Sequence, residues 1–412
     1  MLDSRHFIPV WPRVFNDFAC PECGTPSPAG VRAVLPGEQA IGEYRCGHCG
    51  AEFARDLPVG FALYRTYAWR LKDRHTYYPV DDGKHWRSHP AVAEHSGDRY
   101  GAERKVFKEH KRIVILNTID FLYGHVVLKL FNAQYYLDHH PDIGLVVMVP
   151  RMFEWLVPDG VAEKWVFDIK LSQGSRWNAG VDAFVQEQLG RYEEVYLAAA
   201  YSHPEFVHID IGRFSRVKPF DPSAFLEQPP MITMVARRDR LWYRTPAGKF
   251  IHRVLRKLGL FPGLFPWLQD RLIARVMHLV RKELPDARFG VVGLGNPGGM
   301  PAGTEDLRTM KMDLGVELAW CRLYARSQVA VGVHGSNMIL PTAHAAGCVE
   351  ILPYDRYGNM VQDISVRYHD RMQLFMYRFT DEFASPRQVA RHVISMFTDH
   401  EVYRLDNQTL IF

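Results

Sequence analysis

The sequence predicts an α/β protein with two Rossmann-like domains and a small N-terminal zinc-binding module. Short apolar runs rich in β-branched residues alternate with helical stretches in two successive blocks, which is typical of doubly wound parallel sheets. A proline-rich segment at residues 218–230 separates the two blocks. Two closely spaced pairs of cysteines precede the first block, near the N-terminus.

Length and composition agree with this organisation. A chain of 412 residues with 47% hydrophobic and 23% charged residues is too long for one compact core, so two domains with an appendage are expected. The net charge of +4, from 50 basic and 46 acidic residues, gives no reason to expect a nucleic-acid partner. No N-terminal signal is recognisable, and no apolar run approaches the ~18 residues of a spanning helix. We therefore expect a soluble, cytoplasmic protein.

The first block predicts an N-terminal Rossmann-like domain over residues 111–220, with strands and helices in alternation. Its predicted strands are RIVILN (112–117), GLVVMVP (144–150), KWVFDI (164–169) and EVYLAAA (194–200), and its predicted helices include HVVLKLFNAQYYLDHH (125–140) and VDAFVQEQLGRY (181–192). Residues 61–110 lack such a period and are read as a connecting segment. The histidine-rich part of that segment, 75–98, has no interpretation.

The second block predicts a C-terminal Rossmann-like domain over residues 230–412. Its predicted strands lie in MITMVARRDR (231–240), RFGVVGL (288–294), QVAVGVHGSNM (328–338) and CVEILP (348–353). Sheets of this type bind ligands at the carboxyl ends of their strands. We therefore expect a ligand cleft between the two halves.

The cysteine pairs predict a metal site in a module spanning residues 1–60. Cys20 and Cys23 form one CxxC knuckle, Cys46 and Cys49 form the other, and 22 residues separate them. In a reducing compartment this pattern indicates Zn²⁺ rather than disulfides. Four thiolates saturate zinc, so the predicted role is structural.

The second local signal is the segment 327–353. A predicted buried strand ends in His334, Gly335, Ser336 and Asn337, a helix follows, and the next strand carries Glu350. A glycine before a helix N-terminus suits a diphosphate, and a carboxylate near the next strand end suits the hydroxyls of a ribose. The alternative is a tight turn at Gly335 with Ser336 as an ordinary N-cap.

This segment resembles a known family. A Tyr-x-x-Ser lead-in, VGVHGSNM, a helix and VEILP are similar to the C-terminal domain of family 61 glycosyltransferases, and MVARRDR and IDFLYGHVVLKLFN extend the resemblance over residues 112–355. The resemblance implies a GT-B fold and a nucleotide-sugar donor. The implied reaction is an inverting, metal-independent transfer of a sugar to a hydroxyl of a glycan or lipid-linked acceptor.

The resemblance also implies roles for individual residues. Arg237 and Arg238 would hold the diphosphate, because guanidinium groups can neutralise a leaving nucleoside diphosphate without a metal. His125 would be the base that takes the proton of the acceptor hydroxyl, with Asp120 either a rival for that role or its orienting partner. A solvated strand end for the arginines and a structural histidine are the alternatives. The competing function is a non-catalytic zinc-ribbon and GT-B protein that binds nucleic acid or protein.

Two further segments have two interpretations each. GLGNPGG at 293–299 matches the dinucleotide pattern GxGxxG and also resembles the opening of peptidyl-tRNA hydrolases, but we read it as a loop beside the donor site. Residues 249–285 carry eight Lys or Arg against two acids, which suits docking at the inner face of a membrane. The favoured alternative for 249–285 is a helical hairpin that packs on the sheet and has solvated charges.

Overall fold

The computed structural model describes residues 5–59, 68–77, 95–96, 100–199 and 205–409. The chain divides into two compact units, Met1–Pro204 and Glu205–Phe412. Most of the histidine-rich segment, including residues 78–94, lies outside the described residues.

Unit 1 contains a four-stranded antiparallel sheet in the order β2-β3-β4-β5. Its strands are β2 (Ala29–Val34), β3 (Ile41–Arg45), β4 (Glu52–Asp56) and β5 (Ala68–Arg70). Tyr44 and Phe53 stack with their ring centroids 5.6 Å apart and are almost fully buried. They belong to the same hydrophobic core as Trp165 and Phe167 of the larger sheet of this unit. The cysteine-bearing module therefore shares a core with the α/β part of unit 1.

The larger sheet of unit 1 has six strands in the order β1-β12-β8-β9-β10-β7. Its strands are β1 (Phe7–Trp11), β7 (Ala102–Val106), β8 (Arg112–Asn117), β9 (Gly144–Pro150), β10 (Glu163–Phe167) and β12 (Glu194–Ala198). The four central strands are parallel, and β1 and β7 are antiparallel edges. Taken in chain order, the central strands have the order 3-2-1-4 of a Rossmann half.

The helices of unit 1 connect these strands. They are α1 (Tyr123–Phe131), α2 (Ala133–His139) and α3 (Ala179–Leu189), with 3₁₀ turns at Arg151–Leu156 and Leu171–Gln173. A short parallel pair joins β6 (His95–Ser96) to β11 (Trp177–Asn178). In α1, the described side chains from Gly124 to Phe131 are all buried, so this helix is enclosed by its unit.

Unit 2 contains a six-stranded sheet in the order β15-β14-β13-β16-β17-β18, with all strands parallel. Its strands are β13 (Met231–Val235), β14 (Arg288–Val292), β15 (Thr304–Asp306), β16 (Val329–Val333), β17 (Gly347–Leu352) and β18 (Tyr377–Asp381). In chain order this is 3-2-1-4-5-6, the order of dinucleotide-binding Rossmann folds. The predicted α/β fold class, with two Rossmann-like units and a small cysteine-bearing module, is confirmed.

Helices cover both faces of the sheet of unit 2. They are α4 (Ile211–Ser215), α5 (Pro246–Lys257), α6 (Leu264–Glu283), α7 (Leu314–Tyr324), α8 (Ile339–His344), α9 (Met372–Met376), α10 (Pro386–Thr398) and α11 (His400–Thr409), with 3₁₀ turns at Phe206–His208, Pro222–Ala224, Ser336–Met338 and Tyr354–Asn359. Along β13, Ile232 and Met234 pack with α6 and α10, whereas Val235 packs with α7. This burial on both faces explains the continuous apolar run of β13. Among the described helices, none has the length and apolar character needed to cross a membrane.

Candidate functional site

The topological switch point of the sheet of unit 2 lies between β13 and β16. The chain continues from β13 to β14 on one side and from β16 to β17 on the other, which opens a crevice at the carboxyl ends of these two neighbours. Arg237 and Arg238 follow β13, and His334 and Gly335 follow β16. Two segments that the sequence predicted separately thus meet at the edge where open α/β sheets bind ligands.

The arginines lie on a tight hairpin in which Arg237 and Arg240 form a β-bridge. The Arg237 guanidinium binds both carboxylate oxygens of Asp239, each at 2.8 Å, so a local acid already neutralises its charge. The backbone N–H of Arg238 donates to Leu294 O at 3.1 Å, while its side chain is exposed. Of the two predicted arginines, Arg238 is the more accessible to an anion.

Arg240 joins the two loops of the switch point. Its Nη1 donates to the backbone oxygen of His334 at 3.2 Å. A Cβ on Gly335 would lie 2.1 Å from this Nη1, and the φ of Gly335 is +144°, so both contact and conformation require glycine here. Burial, followed by the nearby charge of Arg356, lowers the pKa of Arg240. The sequence analysis missed Arg240, although it ends the same ARRDR run.

His334 and Glu350 form a buried pair beneath this edge. Their Nδ1 and Oε2 atoms are 2.5 Å apart, and both side chains are 0% exposed. Asp363 Oδ2 lies 3.9 Å from the other imidazole nitrogen. Burial raises the pKa of the Glu350 carboxyl, although His334 opposes this rise. Glu350 lies inside β17 rather than at its end, and this differs from the expectation of a carboxylate facing a ribose.

Ser336 and Asn337 open the 3₁₀ turn Ser336–Met338, which leads into the six-residue helix α8. Asn337 Nδ2 donates back to Val333 O at 3.1 Å, and both side chains are half-buried. No side-chain cap is formed at the start of the 3₁₀ turn or of α8, so the alternative interpretation of Ser336 as an N-cap is wrong. These two residues remain the accessible part of the predicted 334–337 turn.

The glycine-rich loop borders a cavity of about 290 Å³ in unit 2. The residues used below that line it are Arg238, Trp267, Asp270, Gly298 and Arg308. Arg308 bridges Asp270 at 2.8 Å and Asp306 at 2.7 Å and also donates to Gly298 O, which holds the loop in shape. The loop therefore lies beside Arg238, next to the predicted donor site.

In unit 1, Asp120 follows β8 and binds two cationic groups. Its Oδ1 lies 3.2 Å from His125 Nδ1, and its Oδ2 lies 2.9 Å from Lys129 Nζ. All three side chains are buried. Burial raises the pKa of the Asp120 carboxyl, but Lys129 and His125 outweigh burial and lower it to about 2. An ionised carboxylate of such low pKa is a weak base and a good orienting partner for an imidazole.

Glu38 is a second carboxyl group at this cluster, and the sequence analysis missed it. It lies in the turn between β2 and β3, where Gly37 O accepts from Asn117 Nδ2 at 2.7 Å. Burial and the charge of Asp120 raise the pKa of Glu38 to about 7. The backbone N–H of Phe121 hydrogen-bonds to the Glu38 carboxylate. Two carboxyl groups with pKa values moved in opposite directions are typical of acid–base sites.

The four cysteines converge on one point. Their Sγ atoms all lie within 4.8 Å of one another, with Cys20 and Cys49 at 3.8 Å and Cys23 and Cys46 at 3.6 Å. Four thiolates at ~2.3 Å from a tetrahedral ion are ~3.8 Å apart, so the donor set fits Zn²⁺.

The two knuckles also repeat each other. Gly24 and Gly50 both have a φ of +72° and donate to Cys20 O and Cys46 O, each at 2.9 Å. The local chain therefore holds the thiolates in a set that can take up a metal ion.

Comparison with known proteins gives distant structural likenesses. No protein-family profile and no curated protein matches the sequence. E. coli ADP-heptose lipopolysaccharide heptosyltransferase II aligns at 11% identity and a TM-score of 0.38, covering 70% of this chain and 99% of its own. E. coli heptosyltransferase WaaC with ADP aligns at 14% identity and a TM-score of 0.35, covering 70% and 98%.

A third likeness is the dodecameric, iron-containing heptosyltransferase TibC in complex with ADP-D-β-D-heptose. It aligns at 12% identity and a TM-score of 0.31, covering 99% of this chain and 100% of its own. The iron and the twelve-fold assembly are properties of TibC. All three TM-scores are low, so the fold described above is established by the strand order of each sheet.

Proposed function

We propose that this chain is a glycosyltransferase that moves a sugar from a nucleotide-sugar donor to a hydroxyl of a glycan or lipid-linked acceptor. The observation that carries the proposal is the switch point of unit 2, where a 3-2-1-4-5-6 sheet ends in an arginine-rich hairpin beside a glycine turn. A nucleoside diphosphate gains negative charge as it leaves, and guanidinium groups can neutralise that charge without a metal. The transfer is therefore proposed to be metal-independent and inverting.

The donor contacts are divided among the residues of the switch point. Arg238 is proposed to bind the diphosphate, and Arg240 to hold the 334–337 turn against the arginine hairpin. Arg237 can join the diphosphate only by exchanging Asp239 for phosphate oxygens. Glu350 and His334 are proposed to support the turn from the core, because both are fully buried.

The acceptor is proposed to be activated in unit 1. His125 is oriented by Asp120, and its imidazole is a group that can take the proton of an attacking hydroxyl. Glu38 is a second candidate for the same role, because its raised pKa keeps it able to accept a proton near neutral pH. The cysteine site is proposed to hold structural Zn²⁺, which stiffens the turn that carries Glu38.

A calorimetric titration tests the donor site. Wild-type protein should bind nucleoside diphosphates and nucleotide sugars, and Arg238→Ala should weaken diphosphate binding by about tenfold or more while changing nucleoside binding little. Arg322→Ala, which removes an exposed arginine of α7, is the matched control and should change neither affinity.

Two outcomes would count against the proposal. If the wild type binds no nucleotide in a panel of adenine, uracil, guanine, cytosine and thymine diphosphates, the donor-site assignment is wrong. If nucleotide binds but no sugar is transferred to any glycan or lipid-linked acceptor, the non-catalytic binding protein becomes the better explanation.

A further inference from the structure

Helix α5 and the turn that follows it expose an unusual amount of apolar surface. No residue of α5 is buried. Phe250, Leu258 and Phe261 are 63%, 64% and 65% exposed, respectively. The exposed large apolar side chains here, which we call the α5 patch, are Phe250, Ile251, Val254, Leu258, Leu260, Phe261, Leu264, Trp267 and Leu268. Soluble proteins rarely expose a contiguous apolar surface of this kind unless something binds it.

The helical spacing gathers the apolar side chains of α5 on one side. Phe250, Val254 and Leu258 follow one another at intervals of four residues, and such residues share a helix face. The side that packs on unit 2 is a different one, because His252 Nδ1 bonds to Tyr243 Oη at 2.6 Å and its ring lies 4.6 Å from that of Phe265. The apolar stripe is therefore free of the core of unit 2.

The turn after α5 holds this surface in a fixed shape. Leu260 N donates to Leu255 O at 2.9 Å and Gly259 N donates to Arg256 O at 3.2 Å, with Gly259 at a φ of +67°. This is the Schellman ending of a helix. Phe261 has a φ of +49°, which is unfavourable for a bulky residue. Strained backbone of this kind concentrates at functional surfaces, and here it presents an exposed aromatic ring.

Basic residues accompany the apolar stripe. Lys249, Arg253, Arg256, Lys257, Arg271 and Arg275 lie between residues 246 and 275, where Asp270 is the one acid in the sequence. Asp270 is already bound to Arg308, and the Arg271 guanidinium stacks over the Trp267 ring at 4.8 Å. Arg253, Arg256 and Lys257 form no ion pair with any described residue and add positive charge beside the apolar side chains.

We propose that the α5 patch docks on the surface of an anionic phospholipid bilayer. The apolar side chains would enter the boundary between headgroups and acyl chains, and the basic residues would face lipid phosphates. The combination decides in favour of lipid, because a protein partner needs no row of cations along an apolar stripe, whereas an anionic bilayer offers both matching environments. Helix α6 has the other fate, since Ile273, Val276 and Val280 pack it on the sheet.

Vesicle sedimentation tests this inference without measuring sugar transfer. The wild type should bind vesicles of phosphatidylcholine with about one-third phosphatidylglycerol, bind pure phosphatidylcholine vesicles more weakly, and dissociate as salt is raised. Phe250→Ser combined with Phe261→Ser should weaken binding by at least about tenfold. Arg253→Gln, Arg256→Gln and Lys257→Gln together should weaken binding to the anionic vesicles by about 100-fold, at roughly fivefold per cation.

Leu374→Ser combined with Val402→Ser is the matched control, because both residues are exposed in unit 2 outside the α5 patch. This control should bind vesicles like the wild type, and thermal unfolding should show all variants folded. Equal vesicle binding by wild type and both patch variants would overturn the proposal. So would a concentration-dependent dimer, seen without vesicles and abolished by the patch substitutions, because the face would then belong to a second copy. Neither result would bear on nucleotide binding.

Discussion

Glu38 and Asp120 act on each other's ionisation although 82 residues separate them in the chain. Glu38 comes from the turn of the small antiparallel sheet, and Asp120 follows the first central strand of the larger one. The Asn117 side chain fixes this approach by donating to Gly37 O at 2.7 Å. The cysteine-bearing module thus contributes a titratable group to the carboxyl edge of the Rossmann-like sheet.

Glu38 should make the stability of the protein depend on pH. Burial and Asp120 raise the pKa of folded Glu38 from 4.5 to about 7, so the folded chain holds this proton more tightly than the unfolded chain. The contribution of Glu38 to the free energy of unfolding is therefore largest below pH ~4.5 and is lost as pH rises through ~7. Glu38→Gln removes this loss and should be more stable than wild type at pH 8, on the order of 2 kcal/mol.

The measurement is denaturant unfolding of both proteins at pH 5 and pH 8. Glu52→Gln is the control, since Glu52 lies on the neighbouring strand β4 with an exposed side chain, and its offset from wild type should not change with pH. A constant offset for Glu38→Gln across this range would show that Glu38 does not titrate as described.

Substitutions at His125 and Glu38 should identify the base of the proposed transfer. His125→Ala should lower kcat by about 10² to 10⁴, and donor affinity should stay near that of wild type because the donor is proposed to bind unit 2. Asp120→Asn should also lower kcat, because the orienting carboxylate is lost. His139→Ala, at an exposed histidine of α2, is the control. Full activity of His125→Ala together with an inactive Glu38→Gln would assign the base to Glu38.

Metal removal should destabilise unit 1 more than unit 2. Elemental analysis is expected to find one zinc per chain, and Cys46→Ser should reduce zinc and lower the unfolding temperature of unit 1 by at least about 5 °C. The shared core of Tyr44, Phe53 and Trp165 transmits this loss beyond the module. Cys321→Ala, at a buried cysteine of α7, should keep its zinc. Stoichiometric iron in place of zinc would correct the identity of the ion, and a metal-free native protein would exclude the site.

The central strands were predictable because parallel strands buried on both faces must be continuously apolar. RIVILN, GLVVMVP and MITMV show this pattern in the sequence, and they form β8, β9 and β13. The edge strand β7 was missed, since AERKV has three charged residues and gains its strand conformation from pairing with β10. Edge strands depend on a distant partner more than on their own composition.

The site was predictable where a local motif carries it, and not where distant segments meet. The cysteine knuckles and the 334–337 turn are contiguous patterns. Glu38 has no local signal, because its environment is created by Asp120 and Lys129. The burial of Glu350 was also hidden, since a single acid in CVEILP reads equally well as a ligand contact or as a buried partner of His334.

The last prediction concerns the contact between Arg240 and Gly335. Gly335→Ala adds a Cβ that would lie 2.1 Å from Arg240 Nη1, so the guanidinium must move and its bond to His334 O must break. A positive φ adds strain for alanine, and together these effects should cost about 1–3 kcal/mol of stability. If Arg240 holds the two loops in register, Gly335→Ala and Arg240→Ala should each weaken diphosphate binding by about tenfold. Gly298→Ala provides a control, since no atom lies within 4 Å of a Cβ built there, although its φ of +118° still strains alanine. Calorimetry on the double variant then decides the mechanism: losses that do not add indicate one shared contact, whereas fully additive losses would mean that Arg240 and Gly335 act independently.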